Sequence, residues 1–190
     1  STLTYKEFNL KECNFRYRDS VFKSELKGKY IITSVTLKLQ KYPHKVNLEY
    51  GNLKNMLKEK EKTIQNIAES IIKIRSSKLP DPKIIGNCGS FFKNPIILKS
   101  KLKDLKKTFK EVPFYPHTKD KVKIPAAWII EKLGFKGYNE NSVGVYKNHS
   151  LVLINHGNAK GKDVKILAEK IRSKVFDSFS ISLEYEVNVF

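Results

Sequence analysis

Cysteine is nearly absent: Cys13 and Cys88 are the only two in 190 residues. Two isolated thiols cannot build a disulfide framework or the C-x-x-C pair of a metal site, and both read as reduced. No run of eighteen apolar residues occurs, and the opening STLTYKEFNL lacks the basic-then-apolar plan of a secretory signal. Nothing therefore directs the chain into or across a bilayer, and the expected location is the cytoplasm. Acidic side chains are also few: 19 Asp and Glu stand against 37 Lys and Arg, a formal charge of +18. Such a field attracts polyanions. Yet lysine is spread over nearly every segment and rarely interleaved with aromatics as on a single-strand-binding platform. A lysine-rich coat on an ordinary enzyme explains that spread as well as a nucleic-acid partner does. Internal repeats and low-complexity linkers are missing too.

What is present is enough apolar residue for one sizeable core, 40% of the chain, in an alternation of short elements. YIITSVTLKL, residues 30–39, alternates and predicts a strand, with Ile31, Val35, Leu37 and Leu39 on one face. KVNLEYGN looks extended and breaks at Gly51. Thr63 is an N-cap candidate for a helix carrying Ile64, Ile67, Ala68, Ile71 and Ile72, which should stop before the two prolines of KLPDPK. GNCGSFFKNP then reads as a tight glycine-rich loop running into a strand at FFKNPIIL. Leu98, Leu102, Leu105 and Phe109 fall on one side of a following helix. IPAAWIIEKLGFKG predicts a short helix with Pro125 near its first turn and Gly134 at a left-handed C-terminal cap. Two strands, VGVYKN and LVLIN, precede a helix with Val164, Leu167, Ala168, Ile171 and Val175 on its buried stripe. ISLEYEVNVF alternates strictly and predicts a last strand. With no strict βαβ rhythm, the class is α+β.

Candidate chemistry is sparse when residues are weighed singly. HGNAKGKD, residues 156–163, lies between strand and helix but misses the P-loop spacing, and Asp163 stands where a magnesium-holding Ser or Thr belongs. It reads as a polar turn capped by Asp163. His44, His117, His149 and His156 have no zinc-ligand spacing. Glu184 and Glu186 share a strand face, suited to acid–base work, to a cationic partner, or simply to water. Arg18 could take a carboxylate bidentately or pair with Asp19. Ser90 has neither a Ser/His/Asp setting nor a G-x-S-x-G elbow, although Gly86 and Gly89 would let a ligand approach the backbone closely.

Taken in order, however, YRDSVFK (17–23), YGNL (50–53), RSSKLPDPKIIGNCGSFFKNP (75–95), YP (115–116), VKIPAAWIIEKLGFKG (122–137), LVLINHGNAKGKDV (151–164) and LEYEVN (183–188) resemble a family. It is the flavin-dependent UDP-N-acetylenolpyruvoylglucosamine reductase family of peptidoglycan synthesis, MurB. The resemblance implies that NADPH reduces a bound FAD, that hydride then passes to the enolpyruvyl group, and that UDP-N-acetylmuramate results. It implies catalytic roles for Arg18 and Glu186 at the enolpyruvyl carboxylate and for Ser90 as proton donor, with Lys93 a nearby cation. Tyr50, Lys78, Asn94, Tyr115 and Lys123 would hold the UDP-sugar.

On the same resemblance, residues 1–78 are the C-terminal part of an FAD-binding domain, 79–179 the substrate-binding domain, and 180–190 a closing strand returning to the flavin domain. The chain is expected to act as a monomer. Two departures, Cys88 in place of a usual alanine and Arg16 before the YRDS tyrosine, fall at positions without a catalytic role. A third is larger: the family's glycine-rich flavin-binding loop has no counterpart here, and the first residue is not methionine. The expectation is thus a piece of a longer reductase, with most of the FAD site missing. The alternative is a non-catalytic binder of UDP-sugars, or of nucleic acid through its charge.

Overall fold

A computed structural model describes residues 4–189. They divide into two compact units, one ending at Lys45 and one beginning at Val46.

The first unit is short and held locally. Helix α1 (Leu10–Cys13) starts at a capping box, in which Asn9 Oδ1 accepts the Lys11 and Glu12 N–H groups while Glu12 Oε2 accepts the Asn9 N–H. Asn14, left-handed at φ 45°, stops it. A 3₁₀ turn lies at Val21–Lys23, and Phe8 meets Phe22 and Tyr30 edge to face at 5.0 and 5.1 Å. The strand expected over 30–39 does not form. No described segment pairs with it, and Ile31, Val35, Leu37 and Leu39 stay 71–90% exposed. Alternation marks a face suited to burial, but a strand exists only through a ladder with a neighbour.

The second unit opens with α2 (Leu53–Met56) packed on α3 (Ile64–Lys78). Gly51, at φ +53°, turns the chain before them. Thr63 caps α3 as predicted, its Oγ1 accepting the Asn66 N–H at 3.2 Å. Leu53, Leu57 and Ile74 are the small core between the two helices.

The rest surrounds one larger core. Strand β1 (Gly86–Ser90) is the edge of an antiparallel sheet ordered β1-β7-β6-β5, with β5 at Asn139–Glu140, β6 at Val143–Val145 and β7 at Val152–Asn155. A second antiparallel sheet is ordered β2-β4-β3, from Ile96–Leu98, Lys121–Lys123 and Tyr115–Pro116. Helices α4 (Lys99–Thr108), α5 (Ala126–Lys132) and α6 (Gly161–Phe179) supply the remaining walls. Antiparallel sheets with helices between them confirm the α+β class. On α6 the buried residues are Leu167, Ala168, Ile171, Val175 and Phe179; of the predicted stripe only Val164 stays partly buried, and Phe179 extends it by one turn. Burying each large apolar side chain of that stripe contributes about 1.5–3 kcal/mol. Phe179 stacks on Phe109 at 5.4 Å, and Trp128 closes the cluster edge-on. Gly134 ends α5 at φ +76°, as its position predicts.

Two expectations in this unit are corrected. The stretch 86–90 is not a loop but strand β1, because its backbone pairs with β7. Residues 181–189 are not a regular strand, and Phe190 of that expectation lies outside the described residues. Ile181 and Leu183 are buried as the alternation requires, yet a single bridge, Phe92 to Tyr185, replaces a ladder. The segment is anchored by side chains on α6 instead.

Candidate active site

Ser90 ends β1 at a bulge. Asn87 faces Ile154 and Ser90 faces Val152, so three steps on β1 match two on β7. The extra residue is accommodated at Gly89, which adopts φ +70° and donates its N–H to Asn87 Oδ1 at 3.0 Å. Asn87 Nδ2 in turn donates to Ile85 O at 2.9 Å. The turn chemistry that suggested a loop is therefore spent inside a strand. It leaves the half-buried Ser90 at the point where pairing breaks. Phe91 and Phe92, both buried, anchor the chain just beyond it, and Phe91 N–H bonds Leu151 O at 2.8 Å.

Glu186 comes to the same place through backbone contacts. Its N–H bonds Phe91 O at 2.9 Å, and Lys93 N–H bonds Glu184 O at 2.9 Å. The backbone of Glu186 is thus joined to Phe91, the residue after Ser90, beside the single bridge of Phe92 with Tyr185. Glu184 shares that bridge through its carbonyl but not the burial of Glu186. Its exposed side chain pairs with Lys93 Nζ at 3.0 Å, an ion pair of small stabilising value. The cation expected beside Ser90 is thereby engaged with Glu184.

A second group gathers on β4. Tyr115 and Lys123 are register partners, the Lys123 ammonium standing 5.6 Å from the Tyr115 ring centroid. Asn94 reaches them through α5: its Oδ1 accepts the Ala126 N–H at 2.9 Å, while Ile124 N–H bonds Pro95 O. A third group forms at the end of α3. Lys78 Nζ stands 3.9 Å from where a Gly51 Cβ would be, which brings it to the residue after Tyr50. Arg18 belongs to the first unit, at φ +54°, its guanidinium over its neighbour Tyr17 at 5.6 Å. Asp19 uses Oδ1 to accept the Ser20 N–H.

Two features escaped the residue-by-residue reading. His149 is half-buried beside this third group, where Asn148 Nδ2 donates to Ser77 O at 3.1 Å. Its Nδ1 accepts the Leu151 N–H, which leaves Nε2 as the protonated nitrogen of the neutral ring. Burial, with Lys78 and then Lys136, pushes its pKa down. The other feature is a cluster of Glu169, Arg172 and Tyr185. Tyr185 OH donates to Glu169 Oε1, which is the first cause holding the Glu169 carboxyl below its usual range; burial pushes the Tyr185 phenol up. The i,i+3 spacing of Glu169 and Arg172 on α6 was the available signal, but the third member lies thirteen residues beyond Arg172.

A dinucleotide cradle would need backbone N–H groups turned toward a ligand. At the β1 bulge and in the turn before α6, several of these groups are already used. Asn155 Oδ1 accepts the Gly157 and Ala159 N–H groups, Asp163 Oδ2 accepts the Lys160 N–H, and Asn87 takes that of Gly89. The HGNAKGKD segment is thus the polar turn expected of it, and these residues do not fit a flavin diphosphate. No group of three or more His, Cys, Asp or Glu suited to a metal occurs among the described residues, and none of their helices is long and apolar enough to cross a membrane.

A family model for the C-terminal domain of UDP-N-acetylenolpyruvoylglucosamine reductase matches residues 81–190. The chain belongs to this reductase family. UDP-N-acetylenolpyruvoylglucosamine reductase of Flavobacterium johnsoniae is 48% identical over 187 residues, covering 97% of this chain and 56% of the relative. That of Amoebophilus asiaticus is 45% identical over 192 residues, covering 100% and 56%. The chain therefore spans about half the length of these curated relatives. Ser90, Asn94, Tyr115, Lys123 and Glu186 fall inside the matched MurB C-terminal domain; Arg18, Tyr50 and Lys78 precede it.

Proposed function

We propose that this chain supplies the substrate-holding and proton-donating part of a cytoplasmic reductase that converts UDP-N-acetylenolpyruvoylglucosamine to UDP-N-acetylmuramate in peptidoglycan synthesis, with NADPH and FAD as its redox partners. The observation that carries the reading is the bridge holding Glu186 N–H on Phe91 O, next to Ser90 at its bulge. The flavin would supply hydride to the enol ether.

Hydride addition to the outer enolpyruvyl carbon leaves negative charge on the carbon beside the carboxylate, and that carbon needs a proton. Ser90 Oγ is its donor. A serine hydroxyl is a weak acid in water, but the acceptor is a strong base and the half-buried site limits competing water. Glu186 acts at the enolpyruvyl carboxylate, where charge spreads as the bond forms. The family resemblance gives Arg18 a matching role, since a guanidinium can take a carboxylate bidentately. Tyr50 and Lys78, and Asn94, Tyr115 and Lys123, hold the UDP-sugar, the lysines answering its diphosphate.

A second reading, a UDP-sugar binder without redox activity of its own, is favoured by the internally satisfied glycine turns. A flavin absorbance scan of the purified chain, followed by titration with UDP-N-acetylenolpyruvoylglucosamine, separates the two. A flavin band with substrate-driven reoxidation supports the reductase. UDP-sugar affinity without flavin supports the binder, and tight salt-sensitive DNA binding without UDP-sugar affinity overturns both.

A further inference from the structure

We propose that Glu169, Arg172 and Tyr185 form a clamp on helix α6 that positions Glu186 beside Ser90, an inference that rests on the catalytic reading above. The clamp differs from an ordinary surface ion pair in what it grips. Arg172 Nε donates to Leu183 O at 3.0 Å, so the guanidinium holds backbone as well as charge. Its Nη1 reaches both oxygens of Glu169 at 3.0 and 2.9 Å. It lies over the Tyr185 ring, 4.9 Å from the centroid, and the Tyr185 hydroxyl closes the circuit onto Glu169.

The same ring also meets Phe91 and Phe92 at 5.4 and 5.7 Å. Tyr185 thus joins α6 to the two residues after Ser90. The α6 side is rigid, because its stripe is buried in the main core. Leu183 and Tyr185 are therefore fixed, and Glu186 is one residue past the last anchor. The segment forms no ladder, so this grip takes the place of strand pairing.

Two variants dissect it. Tyr185→Phe keeps the ring against Arg172 and the phenylalanines but removes the bond to Glu169. Arg172→Lys keeps the charge but loses the planar fork and the bond to Leu183 O. Amide hydrogen exchange by NMR on the chain reads the Glu186 and Lys93 N–H groups, which tie the segment to Phe91 and Glu184. Both should exchange about tenfold faster in Arg172→Lys, the effect of losing one charge-assisted bond, while β6 and β7 amides stay protected. Calorimetric titration then compares UDP-N-acetylenolpyruvoylglucosamine with UDP-N-acetylglucosamine, which lacks the carboxylate. A clamp that positions Glu186 makes both variants change their affinity for the first while keeping it for the second.

Unchanged exchange in both variants overturns the clamp. Faster exchange with the preference for the enolpyruvyl sugar intact overturns its positioning role. If the unaltered chain binds neither sugar, the catalytic reading itself fails and takes the positioning role with it, while the exchange rates still report whether α6 holds the segment. Tyr185→Phe decides the matter if Arg172→Lys does not fold.

Discussion

Asn94 Oδ1 accepts the Ala126 backbone N–H at 2.9 Å, so a residue proposed to hold the sugar nucleotide also secures the start of helix α5. Substitution by alanine removes the bond and tests the proposed role at once. Asn94→Ala should cost about 1 kcal/mol in a denaturant titration, the usual effect of losing an N-terminal cap. Asn94→Asp keeps the acceptor and should stay near the unaltered stability, while its added negative charge weakens UDP-sugar binding. An Asp variant that binds as tightly as the unaltered chain would take Asn94 out of the diphosphate's surroundings.

Ser90→Ala removes one hydroxyl at the end of a strand that is fixed by its backbone. Stability should change by no more than about 0.5 kcal/mol, as for substitutions that break no buried network. In a reductase carrying this substitution, stopped-flow absorbance should show flavin reduction by NADPH nearly intact, with reoxidation by the enolpyruvyl substrate slowed by several orders of magnitude. Equal losses in both half-reactions would remove Ser90 as the proton donor.

Gly89 offers a test of the bulge itself. A Cβ there meets nothing within 4 Å, so the cost of Gly89→Ala is conformational alone, from φ +70°. Thermal unfolding should report a loss of about 1 kcal/mol. If the bulge aims Ser90, the same substitution should slow the substrate half-reaction well beyond what that loss accounts for. An unchanged rate would mean that Ser90 is placed by the two phenylalanines after it.

Glu184 and Glu186, indistinguishable by alternation, are separated by their surroundings. Glu184 is exposed and paired with Lys93, whereas Glu186 is half-buried next to the Phe91 carbonyl that its N–H bonds. Glu184→Gln should alter stability by less than about 1 kcal/mol, the ceiling for an exposed pair, and leave turnover unaffected. Glu186→Gln should slow the substrate half-reaction strongly. Similar kinetics for the two variants would overturn the distinction.

Much of the second unit was legible because helical stripes and caps are local. Thr63, Gly134 and the α6 stripe stand where spacing and cap chemistry put them. What failed depended on partners distant in sequence. Residues 30–39 alternate, yet pairing is a property of two segments, and no described one answers. Residues 86–90 are rich in Gly, Asn and Ser, but β7 recruits their backbone and confines the turn chemistry to one bulge. The candidate site was visible only as ordered family words. Ser90 and Glu186 are ninety-six residues apart in sequence, and no spacing rule joins them.

His149 makes acid sensitivity of the fold predictable in sign. Burial, followed by Lys78 and Lys136, disfavours its charged form, so its folded pKa lies below the ordinary 6.5. Above that value both folded and unfolded chains carry a neutral ring, and the residue has no effect on the pH dependence. As pH falls below about 6.5 the unfolded state takes up the proton first, and stability declines until the folded ring titrates too. Glu140 and Glu169, whose pKa values are depressed by hydrogen bonds from Lys170 and Tyr185 respectively, lose their contributions only at lower pH, through the carboxylate range. His149→Asn keeps an acceptor for the Leu151 N–H but cannot be protonated. Urea midpoints should therefore fall less for the variant than for the unaltered chain between pH 7 and pH 5.5. Parallel declines would show that the imidazole is solvated enough to titrate alike in both states.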